Sequence, residues 1–124
     1  MVIVVVLLIV IGGLYFLWQS QNQKQMKLDT FAECITQSGA QFYGAFWCPH
    51  CQEQKAEFDT IFGTGADKLP YIECSTPDTN DQLKVCADAG IKGYPTWKFA
   101  DGSVKEGALS LQQLSTQTGC ALPN

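Results

Sequence analysis

The chain has 124 residues, enough for one domain of ordinary size and too few for two. It contains no arginine, and residues 28–124 carry twelve carboxylates against six lysines, which excludes grip on a phosphate backbone and with it nucleic acid. Repeats of roughly 20–50 residues are absent, which excludes solenoids and propellers, and six cysteines in so short a chain pose a question of redox compartment.

Residues 2–18 are apolar apart from Gly12 and Gly13, and the first 18 hold no charged side chain. As a helix they rise about 25 Å, just under the hydrocarbon thickness, with Tyr15 and Trp18 together at the headgroup end. An uncleaved single membrane anchor is the reading, ahead of a cleaved signal or a buried core helix. No basic n-region precedes the segment, and no small-residue cleavage site follows it. Lys24 and Lys27 behind it would turn the domain toward the cytoplasm, whereas the cysteine content argues for the oxidising side. The cysteines decide the expectation: a single-pass protein of the cytoplasmic membrane with its domain on the extracytoplasmic side. Residues 19–27 have no apolar period and read as a solvated tether reaching about 30 Å if extended. The expected division is therefore an anchor at 1–18, a linker at 19–27 and a domain at 28–124.

Within the domain, Asp29 or Thr30 reads as a helix cap, with a capping box from Thr30 to Glu33 and Gly39 as the stop. Phe31, Cys34 and Ile35 fall on the inner face. Residues 41–46 are aromatic and bounded by turns, so they read as a strand. Residues 49–62 read as a helix with Pro49 in its first turn and Cys51, Phe58, Ile61 and Phe62 inward. A strand at 69–74, a loop at 75–80 and a short helix at 81–89 follow. A hairpin of residues 96–99 and 104–107 turns at Asp101-Gly102, and Ser110 opens a last helix ending at Gly119. The order αβαβαββα requires one parallel crossover and one antiparallel pair, hence an α/β fold whose mixed sheet has helices on both faces.

Trp47-Cys48-Pro49-His50-Cys51 stands where a strand hands over to a helix. Cys48 falls at the helix N-cap, where unpaired N–H groups and the positive end of the dipole favour a thiolate. His50, the only histidine, would add a cation in the first turn when protonated. Stabilising the thiolate stabilises the reduced form and makes a Cys48–Cys51 disulfide more oxidising. Cys51, deeper in the helix, would be the resolving thiol. The competing readings are a structural disulfide and half of a zinc site. Zinc would need two further ligands, and Cys74 and Cys86 are spaced wrongly for a second knuckle. Glu53 and Glu57 read as a solvated helix face.

With this motif, and with Gly93-Tyr-Pro-Thr96 about 44 residues beyond Cys51, the chain resembles the thioredoxin superfamily from residue 28 to its end. The resemblance implies a thioredoxin-like fold in which Pro95 is cis and packs against the active pair. It also implies that the backbone at Tyr94 pairs with an extended substrate segment. A narrower resemblance rests on Tyr43-Gly-Ala-Phe-Trp-Cys-Pro-His-Cys-Gln-Glu-Gln-Lys55, Pro70-Tyr-Ile-Glu-Cys74, Val85-Cys86 and Gly93-Tyr-Pro-Thr-Trp97. These look like the thioredoxin-like domains fused to, or encoded with, bacterial homologues of vitamin K epoxide reductase. That resemblance implies a membrane partner passing electrons to a quinone, and exported cysteine-containing proteins as substrates. The Pro-His dipeptide is also that of strongly oxidising periplasmic disulfide-forming enzymes. Many thioredoxins carry a buried aspartate six residues before the first cysteine, and here that position is Phe42, which weakens a reductase reading.

Of the other cysteines, Cys74 and Cys86 close a loop of 11 intervening residues, worth roughly 3 kcal/mol, and are the favoured pair over free thiols or a second relay. Cys34 and Cys120 are then left to pair with each other, unless helices on opposite faces of the sheet hold them too far apart. The expected activity is thiol–disulfide exchange, mainly oxidation, with a substrate thiolate attacking the exposed sulfur of Cys48. No cofactor and no resident metal are expected. A cell-envelope reductase or isomerase is the alternative. A soft-metal chaperone using Cys48, His50 and Cys51 is the alternative from another class, with no methionine near the motif to help it.

Overall fold

The computed structural model describes residues 1–61 and 63–124. Its first element, α1 (Val2–Gln37), is one continuous helix of 36 residues, and this corrects the expected tether. Residues 19–27 are helical because Gln, Lys and Met favour helix and no glycine or proline stands between Leu14 and Ser38. Thr30 caps nothing; its hydroxyl donates back to the Met26 carbonyl at 2.9 Å, inside the helix. Gln25, inside the expected linker, is buried. Its amide nitrogen donates to Asp29 Oδ1 at 2.6 Å and to the Phe58 carbonyl at 3.2 Å, and its oxygen accepts the Thr60 amide at 2.9 Å. The packed body thus reaches back before Leu28. The N-terminal part of α1 is long and apolar enough to cross a membrane and is exposed among the described residues, a candidate span by length and composition.

After α1, Gly39 turns the chain at φ +85 into β1 (Gln41–Gly44), which leads to α2 (Pro49–Ala56). This helix stops six residues before its expected end. Phe58 leaves the helical path to enter the core, where it stacks on Phe31 with ring centroids 5.8 Å apart. The Phe58 carbonyl and the Thr60 amide are taken by Gln25, and a two-stranded ribbon follows, β2 (Asp59–Thr60) with β3 (Gly63–Thr64). Ile61, expected inward, is exposed; the expectation for Phe62 lies outside the described residues. A 3₁₀ turn (Gly65–Lys68) and β4 (Tyr71–Glu73) come next. The following helix, α3 (Lys84–Asp88), is shorter than expected because residues 75 and 82 form an antiparallel bridge that keeps the chain extended up to Leu83. Then β5 (Thr96–Lys98) and β6 (Val104–Glu106) form the expected hairpin. The last helix, α4 (Leu111–Thr118), starts at a full Ser110–Gln113 capping box and ends at Gly119.

The main sheet has the order β4-β1-β5-β6, with β1 parallel to β4 and antiparallel to β5. Successive residues of β1 face opposite ways. Phe42 joins a large core with Phe31, Ile35, Cys51, Phe58, Trp97 and Leu114, whereas Tyr43 joins a smaller one with Cys74, Cys86 and Ile91. Since α1 and α4 both pack in the first core, Cys34 and Cys120 meet, with a Cα–Cα distance of 5.9 Å across a disulfide. The geometric objection to that pair disappears because the two helices share a face. Cys74 and Cys86 form the second disulfide, Cα–Cα 5.6 Å, inside the smaller core.

Candidate active site at the start of α2

The loop after β1 delivers Cys48 to the N-cap of α2 in extended conformation (φ −79°, ψ 117°). Its amide donates to the Ala45 carbonyl at 3.0 Å, and Pro49 occupies the first helical turn, where no amide is needed. The Cys51 amide donates to Cys48 Sγ at 3.3 Å, so one of the helix's unpaired donors is aimed at the first sulfur. Both residues are thiols in this structure. Cys51 is 1% exposed and Cys48 only 5%, which corrects the expectation of an openly exposed sulfur. The Cys48 residue is sunk within a rim of exposed Phe46, Trp47, Pro49 and His50. Burial, reinforced by its hydrogen bond with Cys48, pushes the Cys51 thiol up to about 12.

His50 is largely exposed, and its Nδ1 lies 2.9 Å from Glu53 Oε2. A protonated imidazole there faces a carboxylate as well as the helix end, and an exposed pair of this kind is worth little. Trp47 ties the motif to two distant segments. Its indole N–H donates to Ser75 Oγ at 2.8 Å, and its ring meets that of Tyr94 edge-on, centroids 5.9 Å apart. The Tyr94–Pro95 peptide is cis, Pro95 is fully buried, and its carbonyl accepts the Gly107 amide at 2.8 Å. The fold therefore brings Trp47, Cys48, Cys51, Tyr94 and Pro95 to one end of the sheet. His50 sits on the outer face of that cluster.

Several residues that shape the site, Phe42 apart, were given no role by the sequence. Gln54, one turn past Cys51, is buried; its oxygen accepts the Leu109 amide at 2.7 Å and the Trp97 indole N–H at 3.2 Å, locking α2 to the sheet. Its position on the inward side of an otherwise polar Gln-Glu-Gln-Lys run was the available signal. Gly44 is required by closeness: a Cβ there would lie 2.7 Å from Tyr71 Cε2 and 3.0 Å from Cys51 Sγ. Glu73 accepts the amides of Phe46, Cys74 and Ser75 on one oxygen and the Tyr71 hydroxyl on the other, which pins the active-site loop to β4. Burial holds the Tyr71 phenol well above its ordinary range, so it stays a neutral donor. Phe42 is wholly buried between Trp97 (centroids 4.6 Å apart) and Tyr71 (5.2 Å). Chemically, the arrangement offers a sulfur that accepts a backbone N–H at a helix terminus and a buried second thiol beside it. That is equipment for exchanging a disulfide.

Comparison with known proteins agrees in kind. The thioredoxin family model matches residues 22–117. The chain is 40% identical over 113 residues to the thiol-disulfide oxidoreductase LTO1 of Arabidopsis thaliana, covering 87% of this chain and 28% of that protein. It is 28% identical over 82 residues to the protein disulfide-isomerase-like protein EhSep2 of Emiliania huxleyi, covering 64% of this chain and 37% of that protein. A protein disulfide-isomerase of Humicola insolens is 32% identical over 81 residues, 63% of this chain and 15% of that protein. The chain thus spans well under half the length of these relatives.

Proposed function

The chain belongs to the thioredoxin family, and from that premise we propose that it is a membrane-anchored thiol–disulfide oxidoreductase working mainly as an oxidase. The observation that carries the proposal is the Cys51 amide aimed at Cys48 Sγ at the N-terminus of α2, with Cys51 buried behind it. Charge on Cys48 is thereby stabilised in the reduced form, which makes the Cys48–Cys51 disulfide a better oxidant. A substrate thiolate bonds to Cys48 Sγ, the Cys48–Cys51 bond breaks, and its electron pair leaves on Cys51. The substrate's second thiolate then displaces Cys48 and departs as a disulfide, two electrons poorer. Phe42 supports the oxidase direction, because the resolving thiol has no carboxylate beneath it to deprotonate it for release of a mixed disulfide.

Residues 2–18 are the anchor in this reading, and residues 28–124 stand on the extracytoplasmic side. Two disulfides in the body support that side, since structural disulfides persist in oxidising compartments. The substrates are cysteine-containing exported proteins, and a vitamin K epoxide reductase-like membrane oxidoreductase is the reoxidising partner. The resemblance of the Tyr43–Lys55 and Pro70–Cys74 segments supports that partner. Isomerase activity is the second reading, favoured by the names of two relatives. Equilibration with glutathione decides between them. An oxidase gives a potential nearer about −120 mV, a value near about −180 mV would favour the isomerase, and one near about −270 mV would overturn both in favour of a reductase. Alkaline phosphatase fused after Asn124, active only where disulfides form, tests the side; an inactive fusion beside an active cytosolic reporter would overturn it.

A further inference from the structure

We propose that Lys55, seated on the ring of Tyr71, is a positioning residue that supplies the counter-charge for Cys51 as the Cys48–Cys51 disulfide opens and closes. The inference rests on the thiol–disulfide reading above. When a thiolate bonds to Cys48 Sγ, the S–S electron pair is left on Cys51 Sγ, which then takes a proton from water. In the reverse direction Cys51 loses that proton before it attacks. Both directions pass through a thiolate at a residue that is 1% exposed. Such a charge is costly without a partner nearby.

Phe42 shares the large core with Cys48 and Cys51 and brings no charge. Lys55 lies four residues after Cys51 on α2, so the two side chains share a helix face one turn apart. Its Nζ stands 3.4 Å from the Tyr71 ring centroid, a cation held by a π face. The same ring reaches Cys51 across Gly44, where a Cβ would touch both Tyr71 Cε2 and Cys51 Sγ. Gly44 thereby lets Cys51 Sγ and the ring that carries the ammonium both approach β1 at one point.

The titratable and charged groups facing Cys51 are Cys48 and Lys55 on α2 and Tyr71 and Glu73 on β4. Lys55 is the cation among them. Glu73 is not its ion-pair partner; its two oxygens accept three backbone amides and the Tyr71 hydroxyl. Among the described residues, no carboxylate lies within 4 Å of the Lys55 ammonium. A π face holds a cation in place while leaving its charge available, which a salt bridge would not. The direction is consistent with the thiol itself, since burial raises Cys51 and the Lys55 charge works against that rise.

The test is the rate at which dithiothreitol reduces the oxidised full chain in detergent, for wild type, Lys55→Gln and Lys55→Arg. Lys55→Gln is expected to slow reduction about tenfold, as fits loss of one nearby opposite charge. Lys55→Arg, which keeps the charge on the ring, should return to within about twofold of wild type. The equilibrium with glutathione should move by no more than about twofold in either variant, because Cys51 carries its proton in the resting reduced state at neutral pH. Reduction of Lys55→Gln at the wild-type rate, or an arginine variant as slow as the glutamine one, would overturn the proposal. Failure of the wild-type disulfide to exchange at all would instead remove the thiol–disulfide reading, and the two failures are distinct.

Discussion

Two regions of this molecule hold a pair of cysteines between a strand and the body of the helix that follows it, and only one pair is built for exchange. Around Cys74 and Cys86 both residues are wholly buried among Tyr43, Ile91 and the sheet, and the bridge joins two elements of a small core. Around Cys48 and Cys51 the first cysteine is itself the helix cap, so a backbone N–H points at its sulfur and exposed side chains rim it. The residue type is the same. What differs is whether the sulfur has a polar donor and a way to solvent, and this decides reactivity over inertness.

The comparison breaks first at the chemistry. Cys48→Ser should lower exchange with a dithiol peptide on the order of 10³-fold or more, because the attacked sulfur is gone. Cys74→Ala with Cys86→Ala should leave that rate within about twofold. A second bridge then sharpens the contrast between stabilising and reacting pairs. Removing Cys34–Cys120, separated by 86 positions, should cost about 4.5 kcal/mol by loop entropy, against roughly 3 kcal/mol for Cys74–Cys86, separated by 12. Urea unfolding of the two double-alanine variants, with wild type alongside, measures both.

The raised thiol of Cys51 makes the redox state visible in pH. In the reduced chain the folded thiol keeps its proton up to about 12, whereas the unfolded one releases it near 9.0. That contribution is fully present below pH 9.0 and is lost as pH rises toward 12. The oxidised chain has no thiol at Cys51 to titrate and should lack this loss. Paired denaturation curves at pH 8 and pH 10 would show the gap opening only in the reduced form. The smallest expected effect is at His50. Since its ring is exposed and faces Glu53, His50→Ala should make the disulfide less oxidising by under about 30 mV, read by glutathione equilibration. A larger shift would mean that the imidazole, and not the helix terminus, sets the first sulfur.

Much of this molecule was legible along the chain. The apolar run, the order of strands, the Ser110 cap and the Cys48–Cys51 motif all depend on neighbours within one or two turns, and local pattern reports such things. Pro95 and Tyr94 came from resemblance to a family motif. The Cys74–Cys86 pair followed from a short loop. The misreadings have one cause in common. Residues 19–27 look like a polar tether, yet Gln25 satisfies the Phe58 carbonyl and the Thr60 amide from 33 and 35 positions away. The helix expected through residue 62 ends early because Phe58 is drawn onto Phe31. The Cys34–Cys120 pair, expected by elimination, does form, and the reason it can is that α1 and α4 share a face, which no spacing along the chain expresses.

By itself, then, the amino-acid sequence determined the cysteine motif and the centres of the main helices and strands, though not all of their ends. Propensity, capping and side-chain period act over a few residues and leave their mark in order. The tertiary structure alone decided that Lys55, Tyr71 and Glu73 gather near Cys51, that Gly44 must be a glycine, and that Gln25 of α1 is buried against Phe58 and Thr60. Those outcomes turn on the space left between packed elements and on which buried polar groups find partners across it, quantities that exist only once the chain has closed on itself.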